Sequence, residues 1–184
     1  MGDTDTFDSR AFRHALGCFA TGVTVVTCCD PDGAPVGVTA NSFSSVSLDP
    51  PLVLWSLSRR SGSFEAFNRA DCFAVHLLKQ NQIDVSNNFA RTGDKFREIA
   101  YRIDAKAPIL DERLALFRCD TEYRYEGGDH IIFVGRVRAF EFGDDEPLLF
   151  AQGEYAASIL HPLRLKELKC GLKANEPMDI EYWL

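Results

Sequence analysis

Apolar and polar positions along this chain switch between two periods, and the switches mark its elements. Phe12, Ala15, Leu16 and Phe19 recur at helical spacing, which predicts a short amphipathic helix capped by Ser9. An apolar run from Val23 to Cys28 predicts the first strand, and Asp30-Pro31-Asp32-Gly33 turns the chain into a second, Val36 to Val46, beside it. Asp49-Pro50-Pro51 ends that strand, because proline brings no N–H to a ladder, and Leu52 to Leu57 forms the third. Ser63 is placed to cap a helix marked by Phe64 and Phe67. Cys72 to Leu78 alternates as a strand, and Gln82 to Phe89 has helical spacing. The clearest alternation is Phe117, Cys119, Thr121, Tyr123 and Tyr125, with Arg118, Asp120, Glu122 and Arg124 between them. Gly127-Gly128 supplies a two-residue turn that tolerates positive φ, and Asp129 to Phe142 returns as the partner strand, setting Tyr125 opposite His130.

Helices at the start and several short strands thereafter fit a mainly β fold (α+β) with a closed or split antiparallel barrel better than βαβ winding. At 184 residues the chain is within the range of one domain. No repeat, low-complexity tract or linker interrupts it before about residue 160, so 1–160 reads as one domain and 161–184 as an extension. The extension ends in Ile180, Tyr182, Trp183 and Leu184, which suits wrapping a neighbouring subunit.

The net charge of −7, without any block of Lys or Arg, argues against a nucleic-acid partner. The six cysteines show no C-x-x-C or Cys/His ligand spacing, so no metal site is expected, and small buried thiols in a reduced, cytoplasmic protein fit them best. The start, MGDTDTFDSR, carries acids where an export leader needs a positive charge and an apolar run. The longest apolar stretches, such as Pro51 to Leu57, are far too short to span a bilayer, so a soluble chain without a membrane partner is expected.

Candidate chemistry gathers in Val36 to Ser58, where hydroxyls and amides crowd positions a strand usually fills with bulk. Such compact residues leave backbone N–H groups within reach of a flat, phosphorylated ligand, although a polar edge strand has the same composition. Ser58-Arg59-Arg60-Ser61-Gly62-Ser63 is a polar, cationic loop running into a helix start, a combination suited to an anion or to plain solvation. There is no G-x-G-x-x-G, no G-x-x-x-x-G-K-[ST] and no H-E-x-x-H, so any nucleotide must be held without a dinucleotide-binding α/β unit.

The order Thr39-Ala40-Asn41-Ser42-Phe43-Ser44-Ser45-Val46-Ser47-Leu48-Asp49-Pro50-Pro51-Leu52-Val53 resembles the signature of the flavin reductase-like family, split β-barrel proteins that bind FMN or FAD. The resemblance extends from about Phe12 to Tyr155, taking in Ala20 to Thr27 upstream and Gly128 to Gly135 downstream. It implies that Thr39, Ala40, Asn41, Ser42, Phe43, Ser45 and Val46 line the isoalloxazine and ribityl portion of the flavin, and that Ser58, Arg59, Arg60, Ser61 and Ser63 take its phosphate side. Phe89, Arg91 and Lys95 fall in a segment that such proteins place near the flavin. His130 corresponds to the family's nicotinamide-side histidine, in an orienting role, and Gln152-Gly153-Glu154-Tyr155 matches a second nucleotide-contacting block, Gly153 allowing close approach and Tyr155 stacking. The nicotinamide then stacks on the flavin, so the protein supplies positioning and electrostatics while the cofactors supply the chemistry.

The resemblance implies an NAD(P)H-dependent flavin reductase, using NADH or NADPH to reduce FAD or FMN and passing reduced flavin to a partner monooxygenase. A homodimer is expected with it. Two other readings share the barrel: a carrier that holds flavin or haem without turning over NAD(P)H, and an oxidase of a pyridoxine-type vitamer, which would want a more basic phosphate pocket.

Overall fold

The computed structural model describes residues 7–159. Helix α1 (Ser9–Gly17) has its cap one residue earlier than expected: Asp8 is the N-cap, its carboxylate accepting from the N–H groups of Arg10 and Ala11 at 2.9 and 3.0 Å. Strands β1 (Thr21–Gly22) and β2 (Thr24–Cys29) follow, and Asp30 Oδ1 holds the predicted turn by accepting from the N–H groups of Asp32 and Ala34. The expected strand from Val36 to Val46 is two strands, β3 (Pro35–Ala40) and β4 (Ser44–Leu48). A turn containing the cis Asp49–Pro50 peptide joins β4 to β5 (Pro51–Ser58).

Helix α2 (Phe64–Arg69) has Ser63 at its N-cap position, but the serine side chain makes no capping bond. Beyond it come β6 (Cys72–Leu77), α3 (Ile83–Ala90), a hairpin of β7 (Tyr101–Asp104) and β8 (Ala107–Leu110), and the long pair β9 (Ala115–Gly127) and β10 (His130–Phe142). A second short hairpin, β11 (Leu148–Ala151) and β12 (Glu154–Ala157), completes the described chain. Neither short hairpin is among the elements the hydrophobic pattern predicts.

Seven strands form one antiparallel sheet in the order β3-β2-β6-β9-β10-β5-β4. Its two edge strands are consecutive in sequence, so the residues between them, 41–43, carry the chain from one edge to the other. Within this crossover the Ser42 Oγ accepts from the Ser56 N–H of β5 at 2.9 Å and donates to Ser56 O at 3.2 Å. Ser56 lies on β5 and Ser44 pairs with Leu54 there, so these side-chain bonds extend the β4–β5 pairing into the crossover.

The sheet wraps around Trp55, Phe67, Phe73 and Phe133, all fully buried, with Trp55 stacked on Phe133 at 4.9 Å and edge-on to Phe67 at 4.9 Å. Each such side chain contributes roughly 1.5–3 kcal/mol by leaving water. A second apolar cluster, including Val23, Val25, Leu78, Phe89, Phe96 and Leu148, fixes α3 against β2. The β9–β10 turn is Gly128-Asp129, one residue later than predicted, and Gly128 takes a φ of +75° there. His130 therefore pairs with Gly127, and Tyr125 stands opposite Ile132 rather than His130.

Candidate functional site

Two clefts adjoin β3, and each joins residues far apart in sequence. The first, about 310 Å³, is lined by Val23, Thr39, Asn41, Ser86, Ala90, Phe150 and Tyr155. Thr39 Oγ1 donates to Ser86 O at 2.6 Å, tying β3 to α3. Tyr155 Oη lies 2.9 Å from Ser86 Oγ and donates to Asn87 Oδ1 at 2.8 Å, tying β12 to the same helix. The cleft therefore combines apolar residues, Val23, Ala90 and Phe150, with the bonded hydroxyls of Thr39, Ser86 and Tyr155 and the amide of Asn41. Fixed polar groups around an apolar slot orient a planar ligand at little entropic cost.

The second cleft, about 240 Å³, lies where β3 meets the loops before α2 and after α3, and is lined by Pro35, Val36, Gly37, Gly62, Ser63, Gly93, Asp94, Lys95 and Phe96. Lys95 is its cation. The ammonium donates to Gly37 O at 3.0 Å, which uses one of its three donors, and burial holds its pKa below the usual lysine range. Asn88 donates to Lys95 O and accepts from Arg91, so the end of α3 sets the lysine loop. Ser61 Oγ accepts from the Ser63 N–H at 3.2 Å and Ser58 Oγ from the Arg60 N–H at 3.3 Å, which shapes the facing loop.

Several expected site residues stand elsewhere. Arg59 pairs with Glu126 and lies over the Phe64 ring at 5.8 Å, so its charge is engaged away from the second cleft; neither it nor Arg60 lines that cleft. Arg91 lines a separate cleft on the other side of α3, with Asp84, Asn87 and Arg97. The Phe43 ring packs into the main core, 5.5 Å from Phe117, beside Ala40, and the Phe89 ring is wholly buried. Neither ring is among the residues lining the two clefts. Ser42 is engaged in the bridge to Ser56, and Ser45 and Val46 lie on the edge strand β4, outside both clefts. Gln152 and Gly153 form a hairpin turn with φ of +53° and +85°, and open space surrounds the position of a Cβ at Gly153. Glu154 is exposed beside that turn.

His130 opens β10 directly opposite Ser58 of β5, and the Arg59 N–H donates to Asp129 O at 3.0 Å, so the histidine joins the Ser58–Ser63 loop and not Tyr155. Its Nδ1 lies 2.7 Å from Asp129 Oδ1, which orients the half-exposed ring and holds the Asp129 carboxyl below its usual range. Sequence reading missed Ser86. A buried serine on the core-facing side of an amphipathic helix, one turn from Phe89, is the signal that could have found it.

Two larger clefts, about 420 and 460 Å³, lie around the β7–β8 turn and hold none of the predicted residues. Among the described residues, no helix is long and apolar enough to cross a membrane, and no group of three or more His, Cys, Asp or Glu side chains is placed to hold a metal ion.

The sequence profile of the family described as "Flavin reductase like domain" matches residues 16–158. The chain is 46% identical over 149 residues to FMN reductase (NADH) SmoA of Agrobacterium fabrum, covering 80% of this chain and 85% of that one. It is 47% identical over 153 residues to a protein of Rhizobium meliloti described as "Probable flavin reductase", covering 82% of this chain but only 49% of the relative, so it spans about half that protein's length. Among solved structures, NADH:FAD oxidoreductase SgcE6 of Streptomyces globisporus, in complex with NAD and FAD fragments, superposes with a TM-score of 0.77 at 34% identity, covering 84% of this chain and 94% of that one.

Proposed function

We propose, since this chain belongs to the flavin reductase-like domain family, that it is an NAD(P)H:flavin oxidoreductase supplying reduced FMN or FAD to a monooxygenase component. The observation that carries the reading is the pairing of the two clefts along β3. Thr39 in the first and Gly37 in the second are two residues apart, about 7 Å along a strand, the reach of a short polyol between a ring and a phosphate. On this reading Thr39, Asn41, Ser86 and Tyr155 hold the ring, and Lys95 with Gly62 and Ser63 receives the phosphate. A flavin held by these residues would supply the hydride-accepting chemistry. The residues bind and orient it: the Thr39–Ser86–Tyr155 contacts keep the cleft open to a planar group, and Lys95 offers its two remaining donors to an anion.

The test is anaerobic mixing of purified protein with FMN or FAD and NADH or NADPH, reading loss of the flavin's visible absorbance. Reduction at catalytic enzyme concentrations is expected for at least one pair. Failure to consume either nucleotide with either flavin overturns the reading. Lys95→Met is expected to weaken FMN binding about tenfold, the loss of one charge-assisted contact, while binding of riboflavin, which has no phosphate, stays unchanged. Equal losses for both would place Lys95 outside the phosphate site. His130→Gln is expected to raise KM for the nucleotide by about tenfold and leave flavin affinity alone, as loss of one oriented hydrogen bond predicts; a fall in flavin affinity instead would reassign the residue.

The same reading takes a second copy of the chain as the cover for α1, whose apolar residues Phe12 and Leu16 are 50% and 58% exposed, together with Phe19 just beyond it. A homodimer follows, which this reading places in the cytoplasm, and sedimentation at micromolar concentration checks the dimer: a monomer would refute it. The C-terminal extension expected to wrap the neighbour lies outside the described residues.

A further inference from the structure

Lys95 is held at two points. Its ammonium donates to Gly37 O of β3 at 3.0 Å, and its backbone carbonyl accepts from the side-chain amide of Asn88, on the last turn of α3. Asn88 is 8% exposed, so both ends of its amide need partners inside the protein. The Lys95 carbonyl can only accept and the Arg91 guanidinium can only donate, which leaves the amide one orientation, nitrogen toward Lys95 and oxygen toward Arg91. Asn88 and Arg91 line the cleft that also holds Asp84 and Arg97, and neither lines either cleft along β3.

The loop is fastened on both sides of the lysine as well. Asp94 Oδ1 accepts from the Phe96 and Arg97 N–H groups at 3.1 and 3.2 Å, and the Phe96 ring stands edge-on to the buried Phe89 ring at 5.0 Å. These contacts shape the turn, whereas the bond from Asn88 falls on the backbone of Lys95 itself. Fixing the backbone from which a cation projects fixes where its charge stands. Arg91 adds to this, because a guanidinium on the amide oxygen polarises the amide and strengthens the N–H donation at its other end.

We propose that Asn88, backed by Arg91, is a positioning residue for the flavin phosphate, and that the pair sets this chain's preference for phosphorylated flavins over riboflavin. The proposal rests on the reading of Lys95 as the phosphate cation. Asn88 touches no ligand. It holds the Lys95 carbonyl, so the ammonium, with one donor committed to Gly37, presents the other two at a fixed place. Arg91 acts through Asn88 and not on the phosphate, which gives a role to a cation that lies outside the phosphate cleft.

The experiment measures Kd for FMN and for riboflavin on the full chain by quenching of flavin fluorescence. Asn88→Leu, close to asparagine in shape but unable to donate or accept, is expected to weaken FMN about fivefold, the worth of one hydrogen bond, and to leave riboflavin within about twofold. Arg91→Met is expected to weaken FMN about threefold, and Arg91→Lys, which still donates to Asn88, to recover most of that loss. In the Asn88→Leu background Arg91→Met should add nothing, because its route to Lys95 is gone. FMN and riboflavin weakened alike by Asn88→Leu would make the residue merely structural and overturn the proposal. Additive losses for the two substitutions would put Arg91 on the phosphate and overturn it too. If Lys95→Met lowers the preference for FMN over riboflavin and Asn88→Leu does not, the proposal alone fails; if Lys95→Met leaves that preference intact, the reading beneath it fails as well. Arg91 is exposed, so its variants decide if Asn88→Leu does not fold: full FMN affinity in Arg91→Met, or no recovery with lysine, overturns the proposal.

Discussion

Between pH 7 and pH 4 the fold is expected to lose about 3 kcal/mol of stability through one side chain, His76. The imidazole is fully buried between β2 and β8, with Nδ1 3.0 Å from Val25 O and Nε2 3.2 Å from the Leu110 N–H. A carbonyl can only accept and an N–H can only donate, so Nδ1 carries the proton, Nε2 is bare, and the ring is neutral. Burial pushes its pKa down to about 4 from the ordinary 6.5, Arg113 and Arg118 adding to the effect and the bond to Val25 opposing it. The unfolded chain takes up a proton near pH 6.5 that the folded chain refuses until about pH 4. Stability is therefore complete above that window and falls as pH falls through it, by about 2 kcal/mol at pH 5 and about 3 at pH 4. The arginine-paired carboxyls of Glu122 and Glu141 are held below their usual range, so their contribution is lost at lower pH. Urea unfolding of the wild type at pH 7, 6 and 5 should show midpoints falling in step. His76→Gln, which cannot ionise, should be less stable at pH 7 but flat across the same range. Parallel slopes in the two proteins would rule out His76 as the cause.

The long β9–β10 ladder was legible because alternation over nine residues leaves little freedom: Phe117 and Cys119 turn inward in the structure, as the period requires. The split was not. Val36 to Val46 has strand-forming residues at both ends, and Asn41, Ser42 and Phe43 fit an extended strand as well as a crossover. Only the pairing partners separate the two, β2 for β3 and β5 for β4, and those are tertiary facts. The β7–β8 hairpin was hidden for another reason. Its turn residues are Ala105 and Lys106, both at positive φ, where a readable turn would carry Asn or Gly.

At the site, residue type was legible and direction was not. Thr39, Asn41 and Tyr155 meet in one cleft although 114 positions separate the last two. The loop cations of Ser58–Ser63 suit an anion by sequence, yet Glu126 on a neighbouring hairpin takes Arg59, and Lys95, from the loop after α3, lines the cleft with Ser63. Phe89 shows the converse: a residue next to the ligand segment in sequence whose ring is turned inward by helical period.

That inward turn sets the second large effect, at Gly37. A Cβ built there would lie 2.5 and 2.7 Å from ring carbons of Phe89 and 3.3 Å from Phe96, while the Gly37 carbonyl accepts from Lys95. No rotamer of the methyl relieves this, since an alanine side chain has none, so α3 and the loop that follows it must move. Gly37→Ala is expected to cost about 1–3 kcal/mol, the usual penalty for overpacking, and to weaken flavin binding at least tenfold because Ser86 and Lys95 move with α3 and its loop. Gly135→Ala provides the contrast. Its Cβ would meet Phe73 at 2.4 Å and Cys119 at 2.8 Å, in the main core, with no residue of either cleft among its neighbours. It should lower the melting temperature by a similar amount and leave flavin affinity within twofold of the wild type, at a temperature where both variants remain folded. Loss of affinity in both variants would mean that stability alone governs binding; loss in neither would mean that α3 and the Lys95 loop do not hold the flavin.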